Sequence, residues 1–487
     1  MAQTAVFRLD ASASIGGGHA VRCSALADAL REEGWNCRFV VAEPGFETVR
    51  RLAAARHDVV SIPQAMTLDA PAARAAAPSC ELLVVDHYGW SAPQESACRG
   101  WARRILVIDD LCDRPHDCDL LLDMSIAEDA SKGARAGSRG TRLLGPGYAL
   151  LRSAFADRRL RLRRGRAAPP QRVFVNFGLM DERNITEQTL KALQDAAFSG
   201  EIDLVLGSQS PPLARVESLA QHSGLKARVH VEPGDLAALM AAADFAFGAA
   251  GGSAWERCCL GLPSIIVSAA ANQERNARAL AARGACRLVE RVSADALVLL
   301  RDPAAVEHMA LTAAAITDGR GARRVALALR PERTRAGRQI ALRRLTAADA
   351  DLTHRWQQYP ATRRHARNPA APSREEHLAW LARKLGDPGC VLDMVLHDGA
   401  PAGVVRLDRV ERGGRETACE VSIYIAPDMH GRGVGAAALG ALRRLVPNMV
   451  LVAHVLPENT VSQTLFTKAG YVLENGVYVS APSGAGA

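Results

Sequence analysis

The stretch Arg8-Leu9-Asp10, followed at Ile15 by Gly16-Gly17-Gly18-His19 and then Arg22-Cys23, limits the fold more than any other. The apolar run Thr4–Leu9 reads as a strand and breaks into three successive glycines. It resumes at about His19 as a helical pattern that continues to Glu33. Strand, glycine turn and helix in that order open a parallel α/β sheet. Glycines let the backbone approach a ligand closely, and the helix that follows turns free N–H groups and its positive dipole end to the same point. The dipole favours an uncharged imidazole at this junction, which can accept a proton from water. His19 is therefore either a general base beside an anion site or a residue that borders the first turn of a phosphate loop. No glycine stands three residues after Gly18, so the dinucleotide fingerprint is not met.

The alternation continues through residue 165. Cys37–Val41, Leu82–Val85, Ile105–Ile108 and Leu120–Leu122 are further strand candidates, separated by amphipathic helical stretches. Asp10, Asp86, Asp109 with Asp110, and Asp123 stand at strand ends, where open sheets place ligands. In Asp86-His87-Tyr88-Gly89, Tyr88 is the candidate ligand contact, and Asp86 is either a second one or a helix cap. The basic run Arg158–Arg166, followed by Pro169-Pro170, reads as a solvated crossing between domains.

A second α/β set spans 166–335. Its strands are Val173–Phe177, Ile202–Leu206, Val229–Val231, Ala243–Gly248 and Pro263–Val267, with a helix from about Glu274 to Arg283. Gly251-Gly252-Ser253 repeats the first loop's pattern of strand, glycines and helix start, so a diphosphate can rest there on backbone N–H groups. Glu256, one helical turn on, can accept hydrogen bonds from both ribose hydroxyls, or simply be a favourable charge in a first turn. Asn272-Gln273 follows the next strand. Two such domains describe a cleft for a nucleotide-sugar.

R-x-D, IGGGH, RC, the DHY segment, and GGS-x-x-E followed by NQ resemble the nucleotide-sugar hydrolase of pseudaminic acid biosynthesis. The resemblance covers about 1–330 and implies the two-domain glycosyltransferase-B arrangement. It implies cleavage of UDP from a 2,4-diacetamido-2,4,6-trideoxy-altrose by water. His19 would be the catalytic residue, with Asp10, Tyr88 and Asn272 in the sugar pocket and Gly17 and Gly18 as further substrate-binding residues. Gly251, Gly252, Ser253 and Glu256 would lie at the nucleotide. The sequence departs from the pattern at Gly178-Leu179-Met180-Asp181, where a paired glycine is expected, and Leu179 can crowd a diphosphate.

From 336 to 487 the pattern changes. Gln339–Leu345, Val391–His397, Pro401–Leu407, Glu420–Ile425 and Val450–Val455 are strands, and Asp398-Gly399 is a hairpin turn. Glu420–Ile425 runs into His430-Gly431-Arg432-Gly433-Val434-Gly435 and a helix through Leu445, an anion cradle suited to a carrier's pyrophosphate. With Asn459, Ser462, Phe466, Lys468 and Gly470-Tyr471 further on, the segment resembles the GNAT acetyltransferases. That resemblance implies acetyl-CoA as co-substrate, held by His430 to Gly435, Asn459, Ser462 and Phe466. His430 stands where Arg or Gln is usual, and Phe466 where many members carry a proton-returning tyrosine. Glu420 can take the proton of an incoming ammonium or be a paired strand residue, and His454 is equally open.

The expected fold class is therefore α/β, a glycosyltransferase-B-like pair of doubly wound domains followed by a GNAT α+β domain. At 487 residues, 48% hydrophobic and 23% charged, the chain is a soluble globular protein of about three domains. A net charge of +8 suits anionic ligands such as nucleotide diphosphates, no nucleic-acid motif accompanies it, and the resemblances imply UDP-linked amino sugars as substrates. The 11 cysteines contain no CxxC pair and no metal-ligand spacing recurs, so no metal is expected. No signal peptide or membrane-spanning run is evident, which makes the cytoplasm the default location, without membrane insertion. The two halves read as consecutive enzymes, with other enzymes of the pathway as partners. The N-acetyltransferase would modify the 4-amino group of a UDP-sugar, and the hydrolase would then release UDP. The alternatives are a glycosyltransferase of the same architecture with a protein- or small-molecule-acetylating GNAT domain, and a non-catalytic nucleotide-sugar sensor.

Overall fold

The computed structural model describes residues 3–9, 17–53, 56–66, 68–76, 79–126, 140–162, 169–270, 273–412 and 416–483. The chain divides into one unit of residues 1–159 and 163–322 and another of 160–162 and 323–487.

In the first unit, strands β1 (Thr4–Leu9), β2 (Asn36–Ala42), β3 (Asp58–Ile62), β4 (Leu82–Asp86), β5 (Ile105–Ile108), β6 (Leu120–Asp123) and β7 (Thr141–Leu144) form one sheet in the order 3-2-1-4-5-6-7. Every neighbouring pair is parallel. The central strands are near-continuous apolar runs because helices cover both faces. Strand order reverses between β1 and β4, which opens a crevice at their carboxyl ends. The helix Gly18–Glu32 starts at one side of that crevice, and Asp86-His87-Tyr88 leaves β4 at the other.

The second sheet of this unit contains β8 (Arg172–Asn176), β9 (Glu201–Leu206), β10 (Lys226–Val231), β11 (Phe245–Ala249), β12 (Ser264–Val267) and β13 (Arg287–Val289), in the order 10-9-8-11-12-13 and again parallel. Its switch point lies between β8 and β11, where Gly178 and Gly251 follow the strand ends. The core of this half is Val173, Val175, Leu190, Leu204, Leu206, Phe245, Phe247 and Ile265 with their neighbours.

The second unit holds β14 (Glu332–Arg333), β15 (Gln339–Arg344), β16 (Cys390–His397), β17 (Ala400–Arg412), β18 (Glu416–Ile425), β19 (Val450–Ala453), β20 (Val472–Glu474) and β21 (Val477–Ser480), in the order 14-15-16-17-18-19-21-20. All contacts are antiparallel except β18 with β19. Asp398 and Gly399 have φ of 48° and 85°, the two left-handed positions of a type I′ hairpin turn. The helix Gly321–Leu329 sends Leu327 into this unit's core beside Ile340, Leu342 and Val405. Arg324 on the same helix pairs with Asp393 of β16 through Nε–Oδ1 at 2.7 Å and Nη2–Oδ2 at 3.0 Å, both side chains fully buried.

The expected strands are all present. β3, β7, β13, β14, β20 and β21 are additions that the apolar pattern did not single out. Most are short, half-exposed or at sheet edges, where burial imposes little pattern.

Candidate active sites

In the first unit, Gly17 caps the helix Gly18–Glu32, and a Cβ at Gly18 would meet nothing within 4 Å. His19 is buried in the first turn. Its Nδ1 lies 3.1 Å from the Asp86 carbonyl oxygen and 3.4 Å from Asp86 Oδ1. Both neighbours are acceptors, so Nδ1 carries the proton of the neutral ring and Nε2 keeps its lone pair. Tyr88 packs edge-on against the imidazole at 4.8 Å between ring centroids. The structure thus brings Gly17, Gly18, His19 and Tyr88 to one point of the crevice. Asp10 and Asn272 lie outside the described residues.

Asp86 is neither an exposed ligand nor a helix cap. Arg22 grips it with two bonds, Nε to Oδ2 at 2.6 Å and Nη2 to Oδ1 at 2.5 Å, and reaches Asp110 Oδ2 at 3.0 Å. Cys23 adds its thiol at 3.4 Å. Burial alone would push the Asp86 carboxyl up. The Arg22 guanidinium outweighs it and holds the group below the usual carboxylate range. Arg22 was visible in the sequence three residues after His19, hence on the same helix face. That spacing is the signal which identifies it as the frame of the site.

A second buried network joins the segment between β5 and β6 to the helix Ala92–Cys98. His116 lies between Glu95 Oε1 at 2.7 Å and Asp109 Oδ2 at 3.2 Å. Burial opposes its charge, but two carboxylates outweigh burial and raise its pKa to about 9. Asp109 also accepts from the backbone N–H of Leu111 and Cys112.

In the second half of this unit, Gly251 caps the helix Gly252–Cys259 without a side-chain partner, and a Cβ at Gly252 would meet nothing within 4 Å. Ser253 stands in the first turn, where its Oγ accepts from Arg257 Nη1 at 3.2 Å. Arg257 is buried and also donates to the Ala249 carbonyl at 2.5 Å, so a guanidinium backs the glycine loop. Glu256 is buried, its carboxyl pushed up by burial, and Arg152 Nη2 approaches its Oε1 at 3.4 Å. After β8 the arrangement differs. Both carboxylate oxygens of Asp181 accept from Ile185 N–H and Thr186 N–H at 2.9 Å, so that helix start is already filled. Leu179, the residue out of pattern, accepts from Gly207 N–H through its carbonyl at 3.0 Å. The open helix start is therefore the one at Gly251-Gly252-Ser253.

In the second unit, β18 and β19 pair only over Ala418–Val450, Cys419–Leu451 and Glu420–Val452, although β18 runs on to Ile425. Beyond that rung the parallel strands separate. β18 then turns through Pro427–Met429 into Gly431 and Gly433, whose φ of 75° and 77° lie in the left-handed region. Gly433 caps the helix Val434–Leu445, and a Cβ at Gly431 would meet nothing within 4 Å. Open strands, a left-handed glycine turn and an uncapped helix start fit the pyrophosphate of a carrier. Residues 339–472 match the acetyltransferase (GNAT) domain model. The C-terminal unit carries a GNAT acetyltransferase domain.

Within the GNAT domain His430 and Arg432 are exposed, and His430 Nε2 donates to the Ile425 carbonyl at 3.0 Å. Gly435 packs close to Leu465. Asn459 caps the helix Thr460–Lys468 by accepting from Ser462 N–H at 3.1 Å, which gives both residues a local structural task. Phe466 is buried edge-on against Tyr471, with ring centroids 5.0 Å apart. Glu420 sits at the last rung before the strands part. Its Oε1 accepts from His454 Nδ1 at 3.0 Å and from Arg367 Nη2. Glu420 is thus a paired strand residue that stands at the fork. The parallel rung and the Arg367 contact have no sequence signature.

No group of three or more His, Cys, Asp or Glu residues gathers as a metal site among the described residues. No described helix is long and apolar enough to cross a membrane. No curated protein matches the chain. Among solved structures it is similar to Acinetobacter baumannii MurG, with 14% identity over 67% of this chain and 99% of that one, TM-score 0.47. The calicheamicin glycosyltransferase CalG4 shares 14% identity over 67% of this chain and 98% of that one, TM-score 0.42. Spermidine N-acetyltransferase from Vibrio cholerae, solved with CoA and spermine, shares 21% identity over 29% of this chain and 91% of that one, TM-score 0.26.

Proposed function

We propose that the chain is a bifunctional enzyme that acetylates the 4-amino group of a UDP-linked 4-amino-4,6-dideoxy sugar and hydrolyses the resulting UDP-2,4-diacetamido-2,4,6-trideoxy-altrose. The observation that carries the hydrolytic half is the Nδ1–Asp86 contact of His19. It fixes the tautomer that leaves Nε2 to take a proton from water. Arg22 and Asp86 hold that imidazole in place, and Tyr88 walls one of its sides. The uncapped helix start at Gly252, backed by Arg257, suits the negative charge that develops on departing UDP. The family resemblance adds Asp10 and Asn272 as sugar-binding residues. For acetyl transfer, the turn from His430 to Gly435 offers backbone N–H groups to a pyrophosphate, and acetyl-CoA supplies the activated acyl group.

The test supplies the UDP-4-amino sugar with and without acetyl-CoA and follows free UDP. UDP release is expected only with acetyl-CoA. In His19→Ala it falls by ~10²–10⁴-fold while acetylation persists. Release unchanged in that variant, or equally fast without acetyl-CoA, refutes the assignment.

A further inference from the structure

The GNAT domain places an imidazole beside the carboxylate that the sequence nominated as base, and the two groups are not equivalent. Glu420 Oε1 carries two donors, His454 Nδ1 and the Arg367 guanidinium, and the Glu420 side chain is only 15% exposed. That oxygen is already engaged by a guanidinium and a ring N–H, which leaves it poorly placed to receive a proton from an incoming ammonium. His454 is the opposite case. Its side chain is 53% exposed, and its Nδ1 faces an acceptor, so Nδ1 keeps the ring proton and Nε2 presents a lone pair. No hydrogen-bond partner for Nε2 occurs among the described residues. His454 also follows β19 by one residue, just past the Glu420–Val452 rung at which the strands part.

We propose that His454 takes the proton from the incoming ammonium, and that Glu420 is its positioning residue. The inference rests on the acetyl-transfer reading of this domain. One N–H proton of the ammonium passes to Nε2, and the freed nitrogen lone pair forms the C–N bond as the thioester C–S bond breaks. A second nitrogen proton ends on the sulfur, so Phe466 needs no hydroxyl for the balance to close. The imidazolium, stabilised by Glu420, then returns its proton to solvent. Among the described residues, this face of β17 and β18 also carries Asp408, across the ladder from Glu420, with Lys384 and Arg406 paired to it, and Arg412, paired to Glu474. Lys384 and Arg406 are held by Asp408 and Arg412 by Glu474, so the charged group in contact with His454 is Glu420, which Arg367 shares.

Two measurements on the full chain test this. Nitrogen-15 NMR of the histidine rings, assigned with a His454→Gln variant, reads the tautomer without any acceptor. The Nδ1–H form is expected, and an Nε2–H form overturns the proposal. The second measures transfer from acetyl-CoA to the UDP-4-amino sugar across pH. His454→Gln loses ~10²–10⁴-fold in kcat together with the acid limb of the profile, at unchanged acetyl-CoA affinity. Glu420→Gln loses less and keeps an acid limb, moved to lower pH. The reverse pattern, with Glu420→Gln losing the limb and His454→Gln keeping it, makes Glu420 the base and overturns the proposal. If the wild-type chain acetylates no such sugar, the substrate reading falls, and the ring tautomer still decides the proposal.

Discussion

Each candidate site holds an imidazole–carboxylate pair with an arginine on the carboxylate, and the two differ in how deeply they are buried. His19 and Asp86 are both buried, and Arg22 saturates the carboxylate with two bonds. His454 is half in solvent, and the arginine on Glu420 is 78% exposed. In the first pair the surroundings over-determine the ring, which suits a base that must aim a small, mobile water molecule. In the second, the ring has room to meet an amine carried by a large substrate. Burial, rather than residue type, separates the two.

The contrast is tested most severely at Arg22. Arg22→Met leaves Asp86 as a buried charge without its counter-ion and should cost ~3–5 kcal/mol of unfolding free energy in urea. The double variant Arg22→Met, Asp86→Asn should regain part of that loss, because no uncompensated charge remains. A loss below ~1 kcal/mol in the single variant would place the pair with ordinary surface contacts.

A second measure of how closely the first unit binds its charges comes from His116. Its folded pKa of about 9 lies above the unfolded value of roughly 6.5. The associated stability is therefore fully present below about pH 6.5 and is lost as pH rises toward 9. Buried thiols such as Cys98, pushed up to about 12, add loss of the same sign only above roughly pH 8.5. Between pH 6.5 and 8.5 the chain should lose roughly 2–3 kcal/mol relative to a His116→Gln variant. Parallel stability curves for the two proteins across that window would show that the triad does not hold a proton.

How much of this could be read from the sequence follows from what each contact depends on. The glycine turns and the helices after them are local, so Gly17-Gly18-His19, Gly251-Gly252-Ser253 and Gly431–Gly435 were all legible as ligand loops. The strand runs were legible wherever both sheet faces are buried. Asp86 was visible too, but its pairing with Arg22 depends on β1 lying next to β4, a consequence of strand order. Asp181 filling its own helix start depends on a loop with φ of 43°, which no residue pattern announces. The Glu420–His454 contact needs the parallel register of β18 with β19, set by the whole GNAT sheet.

The smallest expected effect is at Arg367, and it separates the pairs most cleanly. An exposed guanidinium on a carboxylate gains little, because solvent screens the attraction and ordering a long side chain costs entropy. Arg367→Met should therefore change unfolding free energy by under ~1 kcal/mol, against the several expected at Arg22. Its effect belongs in the pH profile of acetyl transfer instead. With the guanidinium gone, Glu420 offers its full charge to His454 and stabilises the imidazolium better. The acid limb of kcat against pH should then move to higher pH, with acetyl-CoA affinity unchanged. A shift to lower pH would mean that Arg367 orders the pair rather than competing for it. A large loss of stability would mean that the second pair is built like the first.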